Sequence, residues 1–113
     1  MHEYSIVQAL LTQCEEIAEA NEATKITKVV VKIGVMSGVE PHLLESAFNT
    51  FKESGVTEGS EFVMNIQLLL IECQACHKSS ELEKMHYCCP HCESIDVTVV
   101  DGEEMFLMSL EME

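Results

Sequence analysis

Residues 73–92 read CQACHKSSELEKMHYCCPHC and hold five of the six cysteines of this 113-residue chain. The stretch contains two C-x-x-C units, Cys73–Cys76 and Cys89–Cys92, each of which can direct two sulfur atoms from one tight turn at the same ion. One such unit is ambiguous between redox and metal chemistry, but two units with twelve residues between them predict a four-thiolate zinc site. The sequence therefore predicts a loop-rich lobe whose folding energy comes largely from bound Zn(II).

The second C-x-x-C unit has an alternative register, because Cys88 offers a competing partner for Cys92 or His91. We favour the Cys89–Cys92 unit, since Pro90 helps to fix its turn and all four ligands are then thiolates. The predicted zinc ligands are Cys73, Cys76, Cys89 and Cys92. A closed tetrahedral site leaves no open position for a substrate, so the zinc is expected to be structural.

On both sides of this stretch the chain shows helical and strand patterns. We predict helices over Glu3–Asn21 and from Pro41 to before Gly55, and strands over Ile26–Ile33, Phe62–Ile71, Ile95–Val100 and Met105–Met112, with a tight turn at Asp101-Gly102. The predicted fold class is α+β: two helices on a small mixed three-stranded sheet, with an inserted zinc-ribbon-like lobe. The last strand is expected to rejoin the first sheet.

The apolar positions of each element predict its buried face. The predicted faces are Ile6, Val7, Leu10, Leu11, Cys14, Ile17 and Ala18 in the first helix; Val29, Val31 and Ile33 in the first strand; Leu43, Leu44, Ala47, Phe48 and Phe51 in the second helix; and Phe62, Met64, Ile66 and Leu68 in the second strand. Because Cys14 lies on such a face, we expect a buried, unreactive thiol.

Composition limits the classes of function. The net charge is −14, from 20 acidic against 6 basic residues, and such a surface repels nucleic acid. The longest apolar stretch, Phe62–Ile71, is too short for a membrane helix. Met1-His2-Glu3-Tyr4 lacks the basic start of a signal peptide, so we expect a cytoplasmic protein, in which thiols stay reduced.

The first residues predict a second metal site. Met1 should be retained, because the aminopeptidase removes methionine only before a small residue and His2 is large. The terminal amine, the peptide nitrogen of His2 and its imidazole Nδ1 can chelate one ion in fused rings. The fourth ligand is then the peptide nitrogen of Glu3 or a carboxylate such as that of Glu40. A nitrogen-rich, square-planar set suits Ni(II) or Cu(II) better than Zn(II).

Further landmarks extend over the whole chain. They are Met1-His2-Glu3-Tyr4-Ser5, Gly34-x-x-Ser37-Gly38-Val39-Glu40-Pro41, Ala47-Phe48, Glu58-Gly59, the two C-x-x-C units and the closing strand from Met105. With them the chain resembles the HypA family of hydrogenase maturation proteins. Tyr4 and Met36 depart from the residues frequent in that family, and Cys88 is additional.

The resemblance implies a metallochaperone that carries Ni(II) to the [NiFe] hydrogenase large subunit, working with the GTPase HypB and, in some bacteria, with urease accessory proteins. By motif, nickel is assigned to Met1, His2 and Glu3, and structural Zn(II) to the four cysteines. The implied domains are a nickel-binding domain, residues 1–71 plus 103–113, and a zinc-binding domain, residues 72–102. The resemblance implies neither an enzyme nor a membrane or nucleic-acid partner.

Two other functions stay open on the residues alone. A zinc-ribbon adaptor for proteins or nucleic acid would share the cysteine pattern. However, the chain has only six lysines and no arginine, so it lacks the basic patch that binding to nucleic acid needs. A thiol enzyme would use Cys88 or one C-x-x-C unit. The sequence contains no phosphate-binding loop and no G-x-S-x-G nucleophile motif, so a nucleotide-driven step would have to come from a partner.

Overall fold

The computed structural model describes residues 2–53, 55–83 and 88–113, and of His2 only the backbone. The elements are α1 (His2–Ala20), β1 (Ile26–Gly34), α2 (Pro41–Phe51), a 3-10 turn (Gly55–Thr57), β2 (Glu61–Gln67), β3 (Leu69–Cys73), β4 (Ser79–Leu82), β5 (Val97–Asp101) and β6 (Met105–Met112). They form two three-stranded sheets, ordered β2-β1-β6 and β4-β3-β5, in a molecule of 52 × 29 × 17 Å.

β1 is the central strand of the first sheet. It pairs in parallel with β2 and antiparallel with β6, so this sheet is mixed. Val29, Val31 and Ile33 are buried beneath the helices, whereas Lys28 and Lys32 are only half-buried. The alternation in the sequence therefore predicted the face of this strand correctly, because side chains alternate between the two sides of a sheet.

The two helices supply the rest of the first core. Pro41 occupies the first turn of α2, and the carboxylate of Glu40 caps the helix by accepting a hydrogen bond from the His42 backbone N–H at 3.4 Å. Phe48 stacks on Phe62 with ring centroids 4.2 Å apart. The buried core residues are Val7, Leu10, Cys14, Ala18, Ile26, Val29, Val31, Ile33, Leu44, Ala47 and Phe48.

Two residues predicted on the buried face of α2 are exposed. Leu43 is 50% exposed and Phe51 is 37% exposed, whereas Leu44, Ala47 and Phe48 are buried. The difference arises because α2 packs along a narrow stripe, and the two outer residues lie at its margins. The ring of Phe51 instead contacts Tyr4 of α1 edge-on, at a centroid distance of 5.5 Å.

The strand predicted over Phe62–Ile71 is two strands in different sheets. β2 ends at Gln67 and β3 begins at Leu69, which pairs with β4 and β5. The burial parity also changes across Leu68: Phe62 and Met64 pack against the first core, whereas Leu69 and Ile71 are buried in the second sheet. The prediction of one strand was wrong because the apolar pattern continues without a polar break.

The turn at Asp101-Gly102 does not join two paired strands. β5 pairs with β3, and β6 pairs with β1, so the chain passes from the second sheet back to the first at Gly102. The predicted return of Met105–Met112 to the first sheet is confirmed, and so is the predicted fold class. Among the described helices, none is long and apolar enough to cross a membrane.

A compact junction connects the two sheets; it consists of the turn Gly34–Ser37 and the crossing segments at residues 67–69 and 102–104. The N–H of Val35 donates to the Gln67 carbonyl at 2.8 Å, and the N–H of Met36 donates to the Gly102 carbonyl at 2.8 Å. One turn thus holds both crossing segments. Beside it, the ammonium of Lys32 pairs with Asp101, which links β1 to β5.

Candidate metal centres

The four predicted zinc ligands lie together at one end of the second sheet. Cys73 ends β3 and Cys76 follows in a turn, while Cys89 and Cys92 lie in the turn before β5. Their four sulfur atoms lie within 4.8 Å of one another. The Sγ atoms of Cys73 and Cys92 are 3.5 Å apart, and those of Cys76 and Cys89 are 3.6 Å apart. This spacing suits one ion at the centre of a sulfur tetrahedron.

The two C-x-x-C turns have the same backbone geometry. In each turn, the backbone carbonyl of the first cysteine accepts a hydrogen bond from the N–H of the residue four positions later. The backbone N–H of the same cysteine donates to the carbonyl of the residue five positions later. These bonds are His77 N to Cys73 O at 3.0 Å, Glu93 N to Cys89 O at 2.8 Å, Cys73 N to Lys78 O at 3.0 Å and Cys89 N to Ser94 O at 2.8 Å. His77 and Glu93 have matching φ values of 61° and 63°. Cys89, and not Cys88, is therefore the counterpart of Cys73.

The role of His77 and Glu93 was missed at the sequence level. Both adopt left-handed backbone conformations, which few non-glycine residues do. Each lies at the fourth position after the first cysteine of its turn, and that shared spacing is the signal that could have identified them. Their contribution is made by the backbone, because the turn directs both cysteines of a pair to the same side.

Two of the thiols are biased towards the thiolate form. The backbone N–H of Cys76 donates to Cys73 Sγ at 3.4 Å and lowers the pKa of Cys73 to about 6. Burial raises the pKa of Cys89, but the backbone N–H groups of Cys92 and His91 outweigh it and hold that pKa below its ordinary value. Both sulfurs are almost fully buried, so these backbone donors replace the water that a thiolate would otherwise need.

The other two thiols are biased towards the protonated form. The backbone N–H of Ser94 lowers the pKa of Cys92, but the neighbouring sulfur of Cys73 and burial together raise it to about 12. The backbone N–H of Lys78 lowers the pKa of Cys76, and burial and the sulfurs around it outweigh that effect and raise it. An ion that binds all four sulfurs must therefore displace protons from this pair, so its affinity rises with pH.

Cys88 and His91 are not part of the sulfur cluster. Among the described residues, the ligating atoms that lie within 4.8 Å of one another belong to Cys73, Cys76, Cys89 and Cys92 alone. His91 is exposed, and it contributes its backbone N–H, which donates to Cys89 Sγ at 3.3 Å. The geometry thus favours the register chosen from the sequence.

The residues predicted to bind nickel lie at the start of α1. Met1 and the side chain of His2 lie outside the described residues, so the predicted nickel site stays a prediction. The helix begins at His2, and Glu3 is half-buried beside Tyr4 and Leu43 at the border between α1 and α2. The Glu40 carboxylate is the cap of α2.

Cys14 is the remaining cysteine away from the cluster. Its side chain is fully buried between α1 and the first sheet, and burial raises the pKa of this thiol to about 11. The neighbouring charge of Glu15 acts in the same direction. The prediction of a buried, unreactive thiol agrees with this environment.

Known proteins resemble this chain over its full length. The model of the HypA family, described as hydrogenase/urease nickel incorporation metallochaperones, matches residues 1–112. The hydrogenase maturation factor HypA of Aquifex aeolicus is 56% identical over 113 residues, which cover 100% of this chain and 98% of that protein. Its counterpart from Shewanella sp. MR-7 is 57% identical over 113 residues, covering 100% and 96%.

Solved structures agree with this relationship. The solution structure of the nickel metallochaperone HypA from Helicobacter pylori has a TM-score of 0.70 and 38% identity, covering 97% of this chain and 96% of that one. A second solution structure of a HypA protein has a TM-score of 0.75 and 39% identity, covering 100% and 97%. Both sequence and fold match from end to end, and the chain belongs to the HypA family of hydrogenase maturation metallochaperones.

Proposed function

We propose that this protein carries Ni(II) for the maturation of [NiFe] hydrogenase and binds it through Met1, His2 and Glu3. The family match over residues 1–112 is the observation that carries the proposal. The chemistry of the chain start supports it, because an amine, a deprotonated peptide nitrogen and an imidazole provide the nitrogen-rich set that Ni(II) prefers. The site requires Met1 to be the first residue of the protein in the cell.

We further propose that Cys73, Cys76, Cys89 and Cys92 bind one structural Zn(II). Four mutually close sulfurs favour zinc over a hard cation, and a closed set offers no position for a water or a substrate. The protein then acts by binding and release of cargo and not as an enzyme. A thiol enzyme would need an accessible, reactive sulfur, whereas metal ligation would occupy these four.

The division of the chain into a nickel-binding domain, residues 1–71 plus 103–113, and a zinc-binding domain, residues 72–102, is part of the proposal. The sheet order supports two such units, although β3 begins at Leu69 and belongs with the second sheet. The partners on this proposal are a HypB-type GTPase and the hydrogenase large subunit, with urease accessory proteins where a urease is present. The cytoplasm suits the protein, since its metal thiolates need a reducing environment.

Calorimetric nickel titration of the zinc-loaded protein and its His2→Ala variant tests the nickel site. Loss of the imidazole and its chelate ring should weaken nickel binding by about a hundredfold or more, or about 3 kcal/mol. Zinc content, measured by mass spectrometry of the native protein, should stay at one ion per chain. Unchanged nickel affinity in the variant would remove the proposed site.

The matched control is His42→Ala, which deletes an exposed imidazole at the start of α2. This variant should bind nickel as the wild type does. A second treatment, acetylation of the terminal amine, should weaken nickel binding without any change in sequence. Full nickel binding by the acetylated protein would contradict the proposed amine ligand even if His2→Ala had the expected effect.

A further inference from the structure

β6 is a free edge of the first sheet. The order β2-β1-β6 leaves the outer side of this strand without a partner strand among residues 2–53, 55–83 and 88–113. Six of the eight residues of Met105–Met112 are apolar, and the strand contains neither lysine nor proline. Natural edge strands usually carry such residues to prevent pairing with another chain, so an apolar edge of this length is a template for a further strand.

An open groove follows this edge on the helix side. It has a volume of about 210 Å³ and lies between Ile6, Ala9 and Leu10 of α1 and the segment Met105–Leu107 of β6. A strand added to β6 would direct every second side chain into this groove, because side chains alternate across a sheet. Its walls are mostly apolar, so the groove fits small aliphatic side chains.

The opposite side of the same edge is also apolar. Phe106 is 46% exposed and Met108 is 50% exposed on the face of the sheet that the helices do not cover. The ammonium of Lys32 lies 5.3 Å from the centroid of the Phe106 ring and holds it against the sheet. An added strand would therefore meet apolar surface on both of its faces.

We propose that the β6 edge binds an extended segment of a partner protein, with small apolar residues in alternation and basic residues at both ends. Carboxylates lie at each end of the strand: Glu103 and Glu104 precede it, Glu113 follows it, and Glu111, near its end, pairs with Lys28 at 3.5 Å. Lysine or arginine side chains at the ends of the incoming segment would meet these charges. Main-chain hydrogen bonds to the free edge would supply much of the affinity.

The same charges argue against a second copy of this chain as the occupant. Two β6 strands paired antiparallel about Met108 would place Glu103 of one copy opposite Glu113 of the other. Like charges directly opposite across a sheet are destabilising, and each copy brings a net charge of −14. A basic partner segment avoids both costs.

The register of β6 limits how much of the edge such a segment uses. The pairing with β1 shifts between Val30 and Val31, which face Ser109 and Leu107, so Met108 forms a bulge. A bulge bends the strand and interrupts its ladder. The regular part, Met105–Leu107, is also the part beside the groove, so main-chain pairing is expected mainly there, while the segment continues past the bulge to the carboxylates at the end of β6.

A pair of synthetic peptides tests the proposal on the full-length, zinc-loaded protein. The basic peptide is capped Lys-Lys-Val-Thr-Val-Thr-Val-Lys-Lys, and in the acidic control glutamate replaces every lysine. In low salt the basic peptide should bind about tenfold more tightly than the acidic one or better. When the basic peptide binds, the changes in the protein's amide NMR shifts should concentrate at Met105–Met108 and at the α1 residues of the groove.

Two variants with the same substitution locate the site. Ala9→Arg places a long cation in the groove and should weaken the basic peptide by about tenfold. Ala20→Arg, at an exposed alanine at the end of α1, adds the same charge away from the groove and should leave binding nearly unchanged. Zinc content and nickel affinity should be the same in all three proteins, so this test is independent of the proposed nickel site.

Three results would overturn the proposal. One is equal weakening by Ala9→Arg and Ala20→Arg, which would reduce the binding to overall charge. Another is a set of shifted amides away from β6. The last is self-association of the wild type that Ala9→Arg abolishes, which would make a second copy the occupant of the edge.

Discussion

A methyl group added at Gly34 or Gly102 should destabilise the protein, because the backbones of the junction meet at these residues. A Cβ on Gly34 would lie 2.4 Å from both the carbonyl carbon and the oxygen of Gly102. A Cβ on Gly102 would lie 2.7 Å from the oxygen of Leu68 and from the Cα of Leu69. None of these atoms is the end of a flexible side chain, so the main chain itself must move.

The structure separates two contributions to the cost. Gly34 has no positive φ, so Gly34→Ala should cost about 1–3 kcal/mol through overlap alone. Gly102 also has a φ of 101°, which adds about 1–2 kcal/mol of backbone strain for alanine. Gly102→Ala should therefore cost about 2–5 kcal/mol in total. Gly59→Ala is the control for strain, since Gly59 has a φ of 76° and nothing lies within 4 Å of an added Cβ.

Urea unfolding of the zinc-loaded variants, followed by far-ultraviolet circular dichroism, measures these costs. We expect Gly102→Ala to be the least stable variant, because overlap and backbone strain both act there. Gly34→Ala should be clearly destabilised by overlap alone. In Gly59→Ala the free energy of unfolding should fall only by the cost of backbone strain. In the double variant the costs of Gly34→Ala and Gly102→Ala should not add, because one backbone shift relieves both overlaps. A wild-type stability for Gly34→Ala, or equal losses for Gly59→Ala and Gly102→Ala, would refute the reasoning.

Three further predictions concern single side chains. The ammonium of Lys32 and the backbone N–H of Gly102 hold the pKa of Asp101 below its ordinary value, so a carbon-13 NMR titration should give a higher pKa for Asp101 in Lys32→Met. The stability that this ion pair adds is present above about pH 4, and it is lost as the pH falls through the lowered pKa of Asp101 in the folded protein. Cys14, with a pKa of about 11 and no exposure, should resist iodoacetamide at neutral pH until the protein unfolds, as peptide mass spectrometry would show. Cys89→Ser should release zinc while Cys88→Ser retains it, as measured by metal analysis; the opposite result would reverse the ligand register.

The central strand of the first sheet and the start of α2 were predictable from the sequence because their patterns are local. The buried face of β1 follows from the alternation at Val29, Val31 and Ile33, and the start of α2 follows from Pro41. Each signal depends only on residues a few positions apart, and the structure has both features as predicted. The four sulfurs were predictable for the same reason, since each C-x-x-C turn is a local unit. Only the meeting of the two turns is long-range.

The change of sheet at Leu68 was not predicted, although the sequence carries a sign of it. The core-facing positions fall on even numbers at Phe62 and Met64, which are half-buried against the first core, and on odd numbers at Leu69 and Ile71, which are buried. The run Leu68-Leu69-Leu70-Ile71 hides this change, because four apolar residues in succession fit either parity. Which strands then pair is a long-range property, so Asp101-Gly102 resembles a hairpin turn in the sequence while it connects two sheets in the structure.

The junction lies at the end of the first sheet where α1 and β6 begin. Ile6 lines the same groove as Met105, so α1 begins at the end of the first sheet where β6 begins. The turn after β1 lies at that end as well, since the N–H of Gly34 donates to the Glu104 carbonyl at 2.9 Å. The crossing segments at residues 67–69 and 102–104 are held by backbone contacts at Gly34 and Gly102, so substitutions at these two glycines are the direct way to weaken the connection between the two sheets.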